Sequence, residues 1–272
     1  MLQTHGEDAK ILAGGQSLIP MMKLRLAAPK YLVDINGISE LEYIREEDGF
    51  LRIGTLTREV AVEESELIKS KYGIIAETAK TIADPQIRNL ATVGGNLAHG
   101  DPGNDHPATM IALKAQVVIA GPEGDRSVDI NDFFEGFFET SLKPNEILKE
   151  LKIPIPSGKS AGSYIKIKRK IGDFAAAGVA VQLSLDDSGT CRSIGIGLTN
   201  VDSVPLRAKR SEDLLLGKQI TDELIKEASQ LASDDSNPTE DLRGSEEYKK
   251  SILRVITGRA LKSAVSRANG DM

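Results

Sequence analysis

The chain has 272 residues, 40% apolar and 27% charged, with 34 basic against 40 acidic side chains and a net charge of −6. That length suggests two domains, each able to bury a core without disulfides or a structural metal, and the acidic balance excludes the basic footprint of a nucleic-acid binder. No apolar run reaches the ~20 residues of a membrane span, and the lone Cys191 excludes an internal disulfide or a thiolate cluster held by this chain unaided.

Residues 10–13 read as a short buried strand running into Gly14-Gly15-Gln16-Ser17, and residues 18–26 as a short helix. Residues 31–35 form a second strand. Segments 41–45 and 50–54 flank Glu46-Glu47-Asp48-Gly49, a hairpin turn in which Gly supplies positive φ. Ile74, Ile75, Thr78, Ala79 and Ile82 recur at helical spacing, and Pro85 predicts that this helix ends near Asp84. A loop rich in polar side chains is expected beyond it.

Strands are then expected at 115–120, 126–130 and 147–153, with an aromatic segment at 133–138 that reads as core or interface. Pro154-Ile155-Pro156-Ser157-Gly158 is the natural internal boundary, which divides the chain into domains 1–156 and 157–272. The second domain should hold three strands (163–168, 174–185 and 192–199) followed by helices near 206–216, 221–232 and 246–264. The first ten residues contain no cationic stretch followed by an apolar run, so no secretory signal is expected and the cytoplasm is the expected location.

Two glycine pairs stand out, Ala13-Gly14-Gly15-Gln16-Ser17 and Thr92-Val93-Gly94-Gly95-Asn96. A diphosphate needs convergent backbone N–H groups approached without a Cβ in the way, which paired glycines permit, while Ser17, Thr92 and Asn96 add side-chain donors. Each pair taken alone also fits a plain tight turn. Neither a G-x-G-x-x-G fingerprint nor a P-loop is present, and three scattered histidines, His5, His99 and His106, build no familiar metal motif. The segment 99–106 fits either acid–base chemistry or a turn in which Asp and Asn cap their own backbone. Lys166, Lys168, Arg169 and Lys170 read as a solvated strand face, and Phe174 as a core residue or a flavin-stacking one. No catalytic residue and no metal ligand is assigned.

AGGQS continuing into SLIPMMKLRLAAPKYLVDI, TVGGNLAHGDPGNDHP at 92–107, and KRKIGDFA at 168–175 followed by the GIGLTN strand occur here in one order. Together they resemble the FAD-binding medium subunits of molybdenum hydroxylases, the xanthine dehydrogenase family, and within it the aerobic carbon monoxide dehydrogenase group. The resemblance spans nearly the whole chain. It implies an α+β fold: an FAD-binding domain of two α+β subdomains, of the vanillyl-alcohol oxidase type, followed by a three-stranded antiparallel sheet with a helical bundle.

By the resemblance, Ala13, Gly14, Gly15, Gln16 and Ser17 bind the FAD diphosphate region from one side and Thr92, Val93, Gly94, Gly95 and Asn96 from the other. Asp105 matches a position that bonds the FAD sugar, Ile82 and Leu148 match apolar residues packed on the cofactor, and Phe174 falls beside the isoalloxazine where relatives often carry Tyr. The resemblance further implies a large subunit with a molybdenum–pterin centre that oxidises carbon monoxide or an aldehyde, and a small subunit with two [2Fe–2S] clusters. The FAD of this chain would pass electrons onward, in an assembly that is a dimer of heterotrimers. Met1 falls inside the family's first helix, so the first edge strand is expected to be missing. Two other readings stay open, a stand-alone flavoenzyme on the same scaffold and a non-catalytic scaffold protein.

Overall fold

A computed structural model describes residues 1–271. The chain opens with helix α1 (Leu2–His5), strand β1 (Ala9–Leu12), helix α2 (Leu18–Lys23) and strand β2 (Tyr31–Asp34), and β1 pairs with β2 in parallel. Parallel neighbours require a crossover, so residues 13–17 must turn the chain off the end of β1 into α2. Strands β3 (Ile44–Glu47) and β4 (Phe50–Gly54) form the expected hairpin with a tighter turn than expected. Glu46 and Glu47 stay in the strand, and only Asp48 and Gly49 turn, at φ 52° and 80°. Two left-handed residues in a row make a type I′ turn, whose twist matches that of the flanking strands.

Helices α3 (Glu59–Glu64), α4 (Glu66–Lys71) and α5 (Gly73–Thr81) follow, and α5 buries Ile74, Ile75, Thr78 and Ala79, the face its spacing predicts. It ends at Thr81, short of Asp84, because Ile82 is already extended and Ala83 takes a φ of 42°. Pro85 does more than stop a helix. It occupies the first position of α6 (Pro85–Arg88), where its missing N–H costs nothing, while Asp84 Oδ1 accepts the Ile87 N–H at 2.9 Å. The expected loop is therefore a series of short helices, α6, α7 (Val93–Ala98) and α8 (Asp105–Ala112). Each is too short to show an apolar period, which needs a window of roughly 11–18 residues.

Strands β5 (Gln116–Gly121), β6 (Gly124–Asp129), β7 (Phe134–Gly136), β8 (Glu139–Thr140) and β9 (Ile147–Pro154) complete the first half. An antiparallel sheet in the order β3-β4-β9-β5-β6 packs Leu51, Ile53, Val117, Ile119, Leu151 and Ile153 into one core with Val62, Ile75 and Met110. Of the aromatic segment, Phe133 and Phe134 enter that core, whereas Phe137 and Phe138 are exposed.

The second half holds the three expected long antiparallel strands, β10 (Lys159–Ile167), β11 (Ala177–Leu185) and β12 (Cys191–Thr199). A two-residue strand β13 (Leu206–Arg207) adds a fourth, so the helix expected from 206 begins later, as α9 (Lys209–Leu215). Helices α10 (Asp222–Asp235) and α11 (Glu246–Asn269) follow. Side chains alternate across the sheet. Val179, Val181, Leu183, Ile194, Ile196 and Leu198 meet Ala228, Leu253, Ile256 and Leu261 in a second core. Tyr164 and Ala180, on the opposite face, belong to the first core.

That opposite face lies directly on α8. A Cβ on Gly197 would sit 2.7 Å from the Ala108 carbonyl carbon, and one on Gly195 2.8 Å from that of Ala112. Because these glycines let backbone meet backbone, all eight residues of α8 are buried between the two halves. Cys191 is fully buried, and burial pushes its thiol up to about 11, which leaves it inert. Among the described residues, no helix is long and apolar enough to cross a membrane.

Candidate functional site

The two glycine motifs, far apart in the chain, meet through the backbone packing of Gly14 on the residues that precede Thr92. A Cβ on Gly14 would lie 2.8 Å from Ala91 Cα and 3.0 Å from the Leu90 carbonyl carbon, so no larger residue lets the 13–17 turn approach this closely. Arg58 holds the approach. Its guanidinium donates to the Leu90 carbonyl and, at 2.8 Å, to Asn36 Oδ1, while Asn36 Nδ2 donates to the Ala13 carbonyl at 2.8 Å. Gly15 takes a φ of 71°, and Gln16 Nε2 folds back onto the Gly14 carbonyl at 3.0 Å. Among the described residues, the N–H groups of Gly14, Gly15, Gln16 and Ser17 find no protein acceptor.

The second motif is a helix start rather than a loop. Thr92 is buried and caps α7, its Oγ1 accepting the Gly95 N–H at 3.2 Å. The N–H groups of Val93 and Gly94 donate to the Thr57 and Thr55 carbonyls, both at 3.0 Å. A Cβ on Gly94 would lie 2.6 Å from Thr55 Cβ and 2.8 Å from Thr55 Cα, so this glycine sets α7 flush against the end of β4. Asn96 Oδ1 is buried without a donor, a state that costs about 1–3 kcal/mol unless a ligand or water supplies one. The Asn96 backbone carbonyl accepts Asn104 Nδ2 at 2.7 Å, which links the motif to the start of α8.

There Asp105 is 5% exposed. The Tyr164 hydroxyl donates to its Oδ1, and Lys166 Nζ donates to its Oδ2 at 2.8 Å. The Lys166 side chain is only 2% exposed, so it is not part of the solvated basic face expected from the sequence. Lys166 lies within β10, on the face that carries Tyr164 toward the first half of the chain, whereas the strand ends at Ile167 and Arg169 and Lys170 beyond it are exposed. Next to Asp105, His106 pairs with Glu59 at 2.7 Å, both fully buried. Burial alone disfavours a charged imidazole, but the Glu59 charge and hydrogen bond, together with the Asp105 charge, outweigh it and raise His106 above its usual value. The Glu59 N–H donates to the Ala91 carbonyl at 3.0 Å, so this pair ties α8 to the residues between the two motifs.

Ile82, at the end of α5, is buried beside Thr81, whose carbonyl lies 3.5 Å from Lys166 Nζ. Phe174 is 44% exposed, which corrects its reading as a core residue, and its ring lies 3.4 Å from where a Gly103 Cβ would be. Leu148 joins Val93 and Leu97 of α7 in the first core. It sits in β9 opposite Ile119, in the core of the five-stranded sheet. The 99–106 segment forms a turn in which Asp101 Oδ1 accepts the Gly103 N–H at 2.8 Å. Among the described residues, no group of three or more His, Cys, Asp or Glu side chains could hold a metal ion. Sequence reading missed Arg58, Asn36, Tyr164 and Lys166 as parts of the site, and only the i, i+2 spacing of the last two carried a signal.

Residues 1–156 match the FAD binding domain in molybdopterin dehydrogenase, and residues 162–264 match the CO dehydrogenase flavoprotein C-terminal domain. The chain belongs to the FAD-binding subunits of molybdenum hydroxylases. The carbon monoxide dehydrogenase medium chain of Hydrogenophaga pseudoflava is 45% identical, over 98% of this chain and 93% of that one. The glyceraldehyde dehydrogenase medium chain of Sulfolobus acidocaldarius is 36% identical, over 94% of this chain and 90% of that one. A solved carbon monoxide dehydrogenase from Hydrogenophaga pseudoflava, lacking the Mo-pyranopterin moiety of its cofactor, superposes with a TM-score of 0.95 at 46% identity, covering 98% of this chain and 92% of that one. This medium-chain homologue is thus an oxidoreductase subunit with an FAD-binding domain.

Proposed function

We propose that the chain holds FAD between residues 13–17 and 92–96 and serves as the electron-relay subunit of a molybdenum hydroxylase complex. The observation that carries this reading is the direct packing of Gly14 on Leu90 and Ala91, which sets one turn with free N–H groups beside a capped helix start. These residues fit the cofactor. The N–H groups of Gly14, Gly15, Gln16 and Ser17 suit diphosphate oxygens, and the buried Asn96 Oδ1 lacks a donor, which a sugar hydroxyl of the cofactor, not its diphosphate, would supply.

Asp105 would accept a hydroxyl of the cofactor's sugar, and Ile82 and Phe174 would flank the ring system. When bound, FAD exchanges electrons singly with iron–sulfur clusters and in pairs with an acceptor. The chain's own residues bind and orient, and none has to move a proton. Phe174 also lines, with Phe137, Phe138 and Arg243, a cavity of about 610 Å³. In this reading residues 1–156 form the cofactor domain and 157–272 the second domain. The electrons come from the two [2Fe–2S] clusters of a small subunit, a large molybdenum–pterin subunit oxidises carbon monoxide or an aldehyde, and the assembly is a dimer of heterotrimers.

The test is anaerobic addition of carbon monoxide or glyceraldehyde to the FAD-loaded chain, alone and assembled with its two partners. Bleaching of the flavin band only in the assembly is the expected result. Bleaching of the isolated chain by either substrate would instead make it a stand-alone flavoenzyme.

A further inference from the structure

We propose that Tyr164 and Lys166 are positioning residues for the cofactor site: from β10 in the second half of the chain they hold Asp105 as a rotationally fixed acceptor for a cofactor hydroxyl. The inference rests on the reading of Asp105 given above. A carboxylate offers about four acceptor sites, of which Tyr164 and Lys166 use two, leaving others for a ligand. Without them, a carboxylate buried this deeply would be left uncompensated and free to turn about its side-chain bonds.

The fold does not need this arrangement for its own sake. A buried ion pair can generally be replaced by apolar side chains with little loss of stability, yet here a lysine with a 2% exposed side chain is committed to one carboxylate. Room for the hydroxyl is built in as well. Gly178 stands opposite Lys166 in the β10–β11 register, and a Cβ there would lie 2.9 Å from Tyr164 Oη and 3.1 Å from Thr199 Cβ. The Glu59–His106 pair beside Asp105 is itself buried and mutually compensated. The acceptor therefore comes from one half of the chain and its orientation from the other, so the site is complete only when the two are docked.

FAD titration of the full chain, read as a dissociation constant, tests this with Tyr164→Phe, Asp105→Asn and the double variant. Tyr164→Phe and Asp105→Asn should each weaken FAD binding by roughly tenfold, the loss of one hydrogen bond to a charged group. The double variant should bind no more weakly than Asp105→Asn, because Tyr164 acts through Asp105. Gly178→Ala, which keeps the hydroxyl but crowds it, should reproduce the loss, and Lys166→Arg should retain more affinity than Lys166→Met. A Tyr164→Phe protein that melts lower but binds FAD unchanged, or effects that simply add, overturns the inference while sparing the role of Asp105. Unchanged binding by Asp105→Asn overturns both.

Discussion

Gly94→Ala is expected to weaken FAD binding by about 5- to 150-fold, the equivalent of the 1–3 kcal/mol that overpacking typically costs. The added methyl has nowhere to go, since it would lie 2.6 Å from Thr55 Cβ and 2.8 Å from Thr55 Cα. Thr55 cannot retreat, because its N–H donates to the Lys149 carbonyl of β9 at 3.0 Å. Helix α7 must move instead, taking with it the Val93 and Gly94 hydrogen bonds and the surface facing residues 13–17. Gly73→Ala is the control, as a Cβ there meets nothing within 4 Å. FAD titration of both variants checks this, and equal affinities would contradict it.

Gly197→Val should lower the melting midpoint by roughly 5–10 °C, taking about 3 kcal/mol for a side chain driven into backbone and the usual conversion for a protein of this size. Its Cβ alone would sit 2.7 Å from the Ala108 carbonyl carbon and 2.8 Å from Ala108 Cα. The second sheet would then have to lift off α8, and because α8 begins with Asp105, FAD affinity should fall together with stability. Thermal melting with and without FAD measures both, and an unchanged midpoint would show that the two halves do not depend on this contact.

Long periodic elements were legible from the sequence. The face of α5, the hairpin of β3 and β4 and the three long strands of the second half each follow from a pattern spanning several turns or a sustained alternation. Helices α6, α7 and α8 were not, because the caps Asp84 and Thr92 rather than a periodic apolar face define the first two, and α8 is buried on every side and so has no polar face to set a period. Both glycine motifs were visible as motifs. Their contact was not, since it depends on Arg58 and Asn36 bridging segments that lie far apart in the chain. Leu148, matched by resemblance, lies in the same core as Val93 and Leu97 of α7, and Phe174 lies nearer the surface than an aromatic residue suggests. Lys166 reads as one of a solvated basic run because the sequence does not show that β10 ends at Ile167, which leaves Lys166 on its buried face and Lys170 outside the strand.

Amide hydrogen exchange of the full chain, with and without saturating FAD, tests the central claim most directly. The N–H groups of Gly14, Gly15, Gln16 and Ser17 have no acceptor among the described residues, so they should exchange quickly in the free protein and slow markedly when FAD is bound. FAD that binds while leaving these four amides as fast as before would place the cofactor elsewhere and contradict the account.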